Sequence, residues 1–72
     1  MISITMKLNS QKLESFRAAH NEDVRQFSKR IEVSHTWYYD NVINKNGNYT
    51  PSLNTITRIA SNLNIDPKEL II

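Results

Sequence analysis

Signals that start helices recur along almost the whole chain, and they constrain its fold more than any other feature of the sequence. Residues that commonly cap helix N-termini precede five segments with helical patterns, at Ser10, Asp23, Ser34, Ser52 and Asp66. Asp66 is followed by Pro67 at the first helical position and Glu69 at the third, which is a capping-box arrangement. The alternation that is typical of a strand is limited to residues 2–6. The sequence therefore predicts a compact all-α fold with five helices.

Apolar side chains at helical spacing indicate which faces of the predicted helices are buried. The clearest stripe lies in the fourth helix, whereas Tyr38 and Val42 lie four residues apart on the inner side of the third. A chain of 72 residues forms only a small core, so most of its apolar side chains must contribute to packing. The predicted core residues are Leu13, Phe16, Phe27, Ile31, Val33, Tyr38, Val42, Leu53, Ile56, Ile59, Leu63 and Leu70.

Composition excludes several classes of function. The chain has no Cys, two His and a single Gly, which argues against disulfides, Cys-ligated metal centres and glycine-rich phosphate loops. No arrangement of Ser, His and Asp suggests catalysis, so we expect no enzymatic activity, no metal, no cofactor and no small-molecule substrate. The net charge of +2 and the pI near 9.2 permit nucleic-acid binding but do not establish it.

The chain is predicted to form one domain over residues 1–72. Residues 1–8 are predicted to be an N-terminal arm, which is either disordered or a short strand. The sequence has no apolar run that approaches the ~20 residues needed to span a bilayer, and its start lacks the pattern of a signal peptide. We therefore expect a cytoplasmic protein with no membrane partner.

Two runs of sequence carry a more specific pattern. The first, DVRQFSKRIEVSHTWYYDNVI, begins at Asp23, and the second, PSLNTITRIASNLNIDPKEL, begins at Pro51. Together they resemble the Cro/CI (lambda-repressor-like) helix-turn-helix family of phage and bacterial regulators over roughly residues 13–70. Arg17 also falls where the family usually has an Arg in its first helix. The positions that match the family's pattern are Asp23, Phe27, Ser28, Ile31, Val33, Ser34, Pro51, Ser52, Leu53, Ile56, Ile59, Ala60 and Leu63.

The resemblance implies a five-helix lambda-repressor-like domain with its helix-turn-helix at about residues 24–43. It also implies a transcription regulator of a genetic switch, such as a phage lysis/lysogeny switch, in the cytoplasm of a bacterial host cell. Such a regulator would bind double-stranded operator DNA alone, as a homodimer, or jointly with a partner repressor. Its reading side chains in helix three would be Ser34, His35, Thr36, Trp37, Tyr39, Asp40 and Asn44, with phosphate contacts from Arg25, Lys29 and Lys45.

The sequence departs from the family's pattern at three points. Glu32 stands where the family's turn prefers Gly, so the turn is either strained or shaped differently. Val24 replaces a Gln that touches DNA phosphate in the family. The spacing of Tyr38 and Val42 is one residue longer than the family's, so we expect helix three to be rotated or extended slightly.

The composition of helix three also supports a protein-binding function. Trp37, Tyr39 and Asp40 are unusual in a groove reader, whereas aromatic side chains dominate protein interfaces. An aromatic and partly acidic face could dock on the basic DNA-reading face of a partner repressor, which would make the protein an antirepressor. Two simpler alternatives stay open: Trp37 and Tyr39 partly cover the core, and the basic residues of helix two form a solvated face.

Overall fold

The computed structural model describes residues 6–72, and these residues form an all-α fold without a strand. The α-helices are α1 (Ser10–Ala19), α2 (Val24–Arg30), α3 (His35–Tyr38) and α4 (Leu53–Leu63). Two shorter helical pieces complete the fold. α3 continues directly into one π-helical turn, Tyr39–Ile43, which we call the π-turn. A 3₁₀ turn, Pro67–Leu70, lies near the C-terminus and is called the C-terminal turn.

The prediction of five helices is wrong, because the described part of the chain contains four α-helices. The C-terminal turn lies where the fifth helix was expected. The Asp66 side chain accepts a hydrogen bond from the amide of Lys68 at 2.9 Å, two residues on, which favours a tight turn. The predicted capping partner, Glu69, instead places its carboxylate 3.4 Å from the Nζ atom of Lys12. The backbone is extended again at Ile71, so the helical segment ends after one turn.

The side chains predicted to start the second, third and fourth helices do so. Asp23 and Gln26 form a reciprocal capping box at the start of α2. Ser34 accepts a hydrogen bond from the Trp37 amide at 3.0 Å, and Ser52 caps α4 in the same way. The first start lies one residue earlier than predicted, because Asn9 caps α1.

The core lies between α1, α2, the π-turn and α4. Its buried apolar residues are Leu8, Leu13, Val24, Phe27, Ile31, Tyr38, Val42, Ile56, Ile59, Ala60 and Leu70. Phe16, Val33 and Leu63 were also predicted as core residues, and they pack against its edge with part of their surface exposed. The Phe27 and Tyr38 rings meet edge to face with centroids 5.7 Å apart, which joins α2 to α3.

The prediction of Leu53 as a core residue is wrong, since 64% of its surface is exposed. Leu53 is the first residue of α4 and lies at the margin of the stripe formed by Ile56, Ile59 and Ala60. At a rotation of about 100° per residue, Leu53 lies close to the direction of Ala60, so helical periodicity alone would bury it. Its exposure shows instead that little of residues 6–72 packs over the first residue of α4.

The end of the predicted N-terminal arm is ordered at Leu8, which is fully buried. Leu8 forms an isolated antiparallel bridge with Ile71, and its amide donates to the Tyr49 carbonyl at 2.8 Å. The Ile72 amide donates to the Lys7 carbonyl at 2.9 Å. Residues 6–8 of the predicted arm form no strand, only the isolated bridge at Leu8, and residues 1–5 of the arm lie outside the described residues.

Candidate functional site

α2 and α3 are joined by a tight turn that contains a strained residue. Glu32 has a φ of +60°, in the left-handed region that favours glycine. Its amide donates to the Lys29 carbonyl, and the Val33 amide donates to the Ser28 carbonyl at 2.9 Å. These bonds satisfy carbonyl groups at the end of α2. Of the two alternatives for this turn, the structure adopts the strained one.

Val24 serves packing rather than ligand contact. Only 8% of its surface is exposed, and it lies in the core at the first position of α2. An apolar side chain that is turned inward cannot supply the polar contact that the family's Gln makes. The start of α2 is instead stabilised by the capping box of Asp23 and Gln26.

The π-turn explains the unusual spacing in helix three. The Asn44 amide donates to the Tyr39 carbonyl at 2.8 Å, a bond that spans five residues and widens the helix. With this widening, Tyr38 and Val42 are both buried, whereas Tyr39 and Asp40 are exposed. The helix is therefore extended by a wider turn.

A basic concavity of about 320 Å³ lies between α2 and the start of α3. Arg25 and Lys29 are exposed, and neither has an ion-pair partner among residues 6–72. The Oγ atom of Ser28 is buried and has no hydrogen-bond partner within the same residues. Positive charge that no acidic side chain neutralises makes this concavity suited to an anion. Its lining residues are Arg25, Gln26, Ser28, Lys29, Val33, Ser34 and His35.

The other predicted contact residues of helix three differ in how much of their surface is exposed. Thr36, Tyr39, Asp40 and Asn44 are exposed, and 46% of the surface of Tyr39 is accessible. Trp37 is half-buried, because its ring packs at the edge of the core. The concavity thus brings together Arg25, Lys29, Ser34 and His35, and it does not include Trp37.

Trp37 and Lys45 meet at Tyr49, which the sequence analysis did not single out. The Trp37 and Tyr49 rings are nearly perpendicular, with centroids 5.8 Å apart. The Lys45 Nζ atom lies 4.8 Å from the centroid of the Tyr49 ring. The signal that could have identified Tyr49 is a lone aromatic residue in a polar loop, although the sequence does not reveal which side chains it contacts.

Behind α3, a polar cluster of Glu14, Arg17 and Tyr38 holds the helix against α1. The Arg17 guanidinium binds the Glu14 carboxylate with two hydrogen bonds of 3.0 and 2.8 Å. The Tyr38 hydroxyl donates to the same carboxylate at 2.6 Å. Arg17 therefore holds the pKa of Glu14 below its ordinary value. Burial, followed by the bond to Glu14, raises the pKa of Tyr38, so its hydroxyl stays a donor.

Comparisons of this chain with protein-family models, with curated proteins and with solved structures found no match. No helix among residues 6–72 has the length and apolar character that crossing a membrane requires. The same residues contain no cluster of His, Cys, Asp and Glu side chains that could hold a metal ion.

Proposed function

We propose that this protein is a Cro/CI-type transcription regulator that binds operator DNA through a helix-turn-helix at about residues 24–43. The observation that carries the proposal is the basic concavity, in which Arg25 and Lys29 lie without acidic partners beside the first turn of α3. Side chains from two consecutive helices converge there, with Ser34 and His35 on its α3 side. This is the arrangement expected where a phosphate backbone passes between two helices.

Base contacts would come from side chains of helix three that are fully or partly exposed. His35 and Thr36 lie in the first turn of α3, next to the concavity, and Asn44 lies after the π-turn. Hydroxyl, imidazole and amide groups can donate to or accept from base edges in the major groove. Arg25 and Lys29 neutralise only a few phosphates, so affinity would be low for a single copy. A homodimer, or joint binding with a partner repressor, would supply the affinity that a phage-type genetic switch requires.

Fluorescence anisotropy with labelled DNA from the gene's own neighbourhood tests the proposal. Arg25→Ala and Lys29→Ala should weaken binding at all sequences, and each should reduce the salt slope by about one. Arg58→Ala is the matched control, since Arg58 is exposed on α4 and does not line the concavity. His35→Ala and Thr36→Ala should alter site preference instead. An equal loss with Arg58→Ala, or no salt-dependent binding by the unaltered protein, would contradict the proposal.

A second candidate function is that of an antirepressor, which is favoured by the outward surface of the π-turn. Tyr39 is 46% exposed and Ile43 is 36% exposed, with the exposed carboxylate of Asp40 between them. Apolar area beside a negative charge suits the basic DNA-reading face of a partner repressor better than it suits DNA.

The antirepressor candidate is tested by adding the protein to a neighbouring repressor that is already bound to its operator. Tyr39→Ala should abolish any loss of the repressor's gel shift, whereas Leu53→Ala, at another exposed apolar residue, should not. Trp37→Ala is a second change that should disrupt the complex. It is less specific because Trp37 also packs against the core. If the unaltered protein leaves the repressor's gel shift unchanged, the antirepressor function is excluded.

A further inference from the structure

We infer that Tyr49 is a positioning residue that holds the Lys45 ammonium and the Trp37 ring together, so that the loop of residues 44–49 acts as one unit with helix three. The inference rests on the proposed function in one respect, since Lys45 is taken to contact a phosphate group. Tyr49 itself would not touch the nucleic acid.

Two contacts of the Tyr49 ring join the loop to the helix. The Lys45 Nζ atom lies over the ring at 4.8 Å from its centroid, where the negative face of the π-system attracts a cation. The Trp37 ring meets the same residue at an interplanar angle of 83°, the edge-to-face arrangement that aromatic quadrupoles favour. One side chain therefore makes specific contacts with residues on both sides of the π-turn.

The backbone of the loop is held from its other side by the segment that precedes α1. The Tyr49 carbonyl accepts from the Leu8 amide at 2.8 Å, and the Gly47 amide donates to the Ser10 Oγ atom at 3.0 Å. The Asn48 side chain accepts from the Lys7 ammonium at 3.1 Å. These bonds fix where the loop lies relative to α1. The Tyr49 ring adds a side-chain contact between the far end of the loop and Trp37 of helix three.

This geometry leaves Lys45 able to bind an anion while it is held. The ring attracts the ammonium through its charge and contains no conventional acceptor atom, so the N–H groups of the exposed Lys45 that point away from the ring can donate to phosphate oxygens. A long side chain that is already ordered loses less rotamer freedom when it binds. Tyr49 would thus strengthen the contact between Lys45 and a phosphate group without touching the phosphate itself.

The first arm of the test uses the full chain without DNA. Trp37 is the single Trp, so quenching of its fluorescence by acrylamide reports on its contact with Tyr49. Tyr49→Leu should increase the quenching and remove the ring-current shift of the Lys45 ε-methylene protons, whereas Tyr49→Phe keeps the ring and should preserve both signals. Far-UV circular dichroism checks that each variant is folded. Unchanged quenching and shifts in Tyr49→Leu would overturn the inference.

The second arm measures binding to a mixed-sequence DNA duplex over a range of salt concentrations. Tyr49→Leu should weaken binding about two- to fivefold, the size of an exposed cation–π contact, and Tyr49→Phe should bind like the unaltered protein. Lys45→Met should lower the salt slope by about one. Because Tyr49 acts through Lys45, the double variant Lys45→Met/Tyr49→Leu should bind no more weakly than Lys45→Met alone. A full additional loss in the double variant would overturn the inference.

The two arms separate this inference from the proposed function. Absence of salt-dependent DNA binding by the unaltered protein would refute the proposed function, and with it the role of Lys45 as a phosphate contact. The first arm would then decide by itself whether Tyr49 holds Lys45 and Trp37 together.

Discussion

Replacement of Glu32 by Gly is expected to stabilise the protein. Glu32 has a φ of +60°, and the other non-glycine residues with positive φ in the described range, 6–72, are Asn21, Asn46 and Asn64. Asn tolerates the left-handed region because its short polar side chain can bond locally, whereas Glu has no such compensation. The Glu32 side chain is exposed, and it makes no ion pair or hydrogen bond within residues 6–72. Its removal therefore loses little in the folded state.

The magnitude follows from two opposing terms. A residue with a Cβ atom in the left-handed region costs roughly 1–2 kcal/mol, which Gly does not incur. Gly has more conformational freedom in the unfolded chain, which offsets the gain by about 0.4–1 kcal/mol. The free energy of unfolding of Glu32→Gly should therefore rise by about 1 kcal/mol. For a domain of this size, that change raises the Tm by about 4–8 °C.

Thermal and urea unfolding, followed by circular dichroism, measure the effect. Glu32→Ala is the matched control, since it removes the same charge but keeps a Cβ atom at a φ of +60°. Glu32→Asn should fall between the two. If Glu32→Gly has the same Tm as Glu32→Ala, or a lower one, the argument from backbone strain is wrong.

Three further predictions concern the core and the polar cluster behind helix three. Tyr38→Phe removes the 2.6 Å bond to the Glu14 carboxylate and should lower the free energy of unfolding, measured in urea, by about 1.5–3 kcal/mol. Because Arg17 holds the pKa of Glu14 below its ordinary 4.5, the folded protein binds fewer protons near that pH than the unfolded chain does. The resulting gain in the free energy of unfolding is complete above pH 4.5 and is lost as the pH falls through the lower pKa of the folded state. Glu14→Gln should reduce the fall in the free energy of unfolding over that pH range. An unchanged dependence on pH would show that other carboxylates cause the loss of stability in acid. Leu53→Ala should change stability by less than about 0.5 kcal/mol, whereas Ile59→Val should cost about 0.5–1.5 kcal/mol; equal losses would contradict the observed burial of these side chains.

The regulator proposed here would have an unusually divided recognition region. Arg25 and Lys29 lie in the basic concavity at the start of α3, whereas the π-turn presents Tyr39, Asp40 and Ile43. A charged groove and an aromatic surface on one helical unit would allow DNA and a protein partner to be bound by different residues. Arg25→Ala and Tyr39→Ala therefore separate the two functions, because each removes a residue from one surface and leaves the other intact.

The predictions that succeeded depend on interactions between residues close in sequence. Asp23, Ser34 and Ser52 cap helices because each side chain reaches an amide three residues away, and that distance is set by the helix itself. The burial of Tyr38 and Val42 follows equally from their spacing and apolar surface. Leu53 has the same apolar character and helical spacing, but within residues 6–72 little packs over this first residue of α4.

The sequence by itself determined the class of the fold, the starts of most helices and most of the core, since these depend on short-range hydrogen bonds and on helical periodicity. The tertiary structure alone decided that Leu8 is buried and that Glu32 adopts a positive φ. It also placed Tyr49 between Lys45 and Trp37. The burial of Leu8 and the contact between Tyr49 and Trp37 join residues that are distant in the chain, and no local pattern records which of these residues meet.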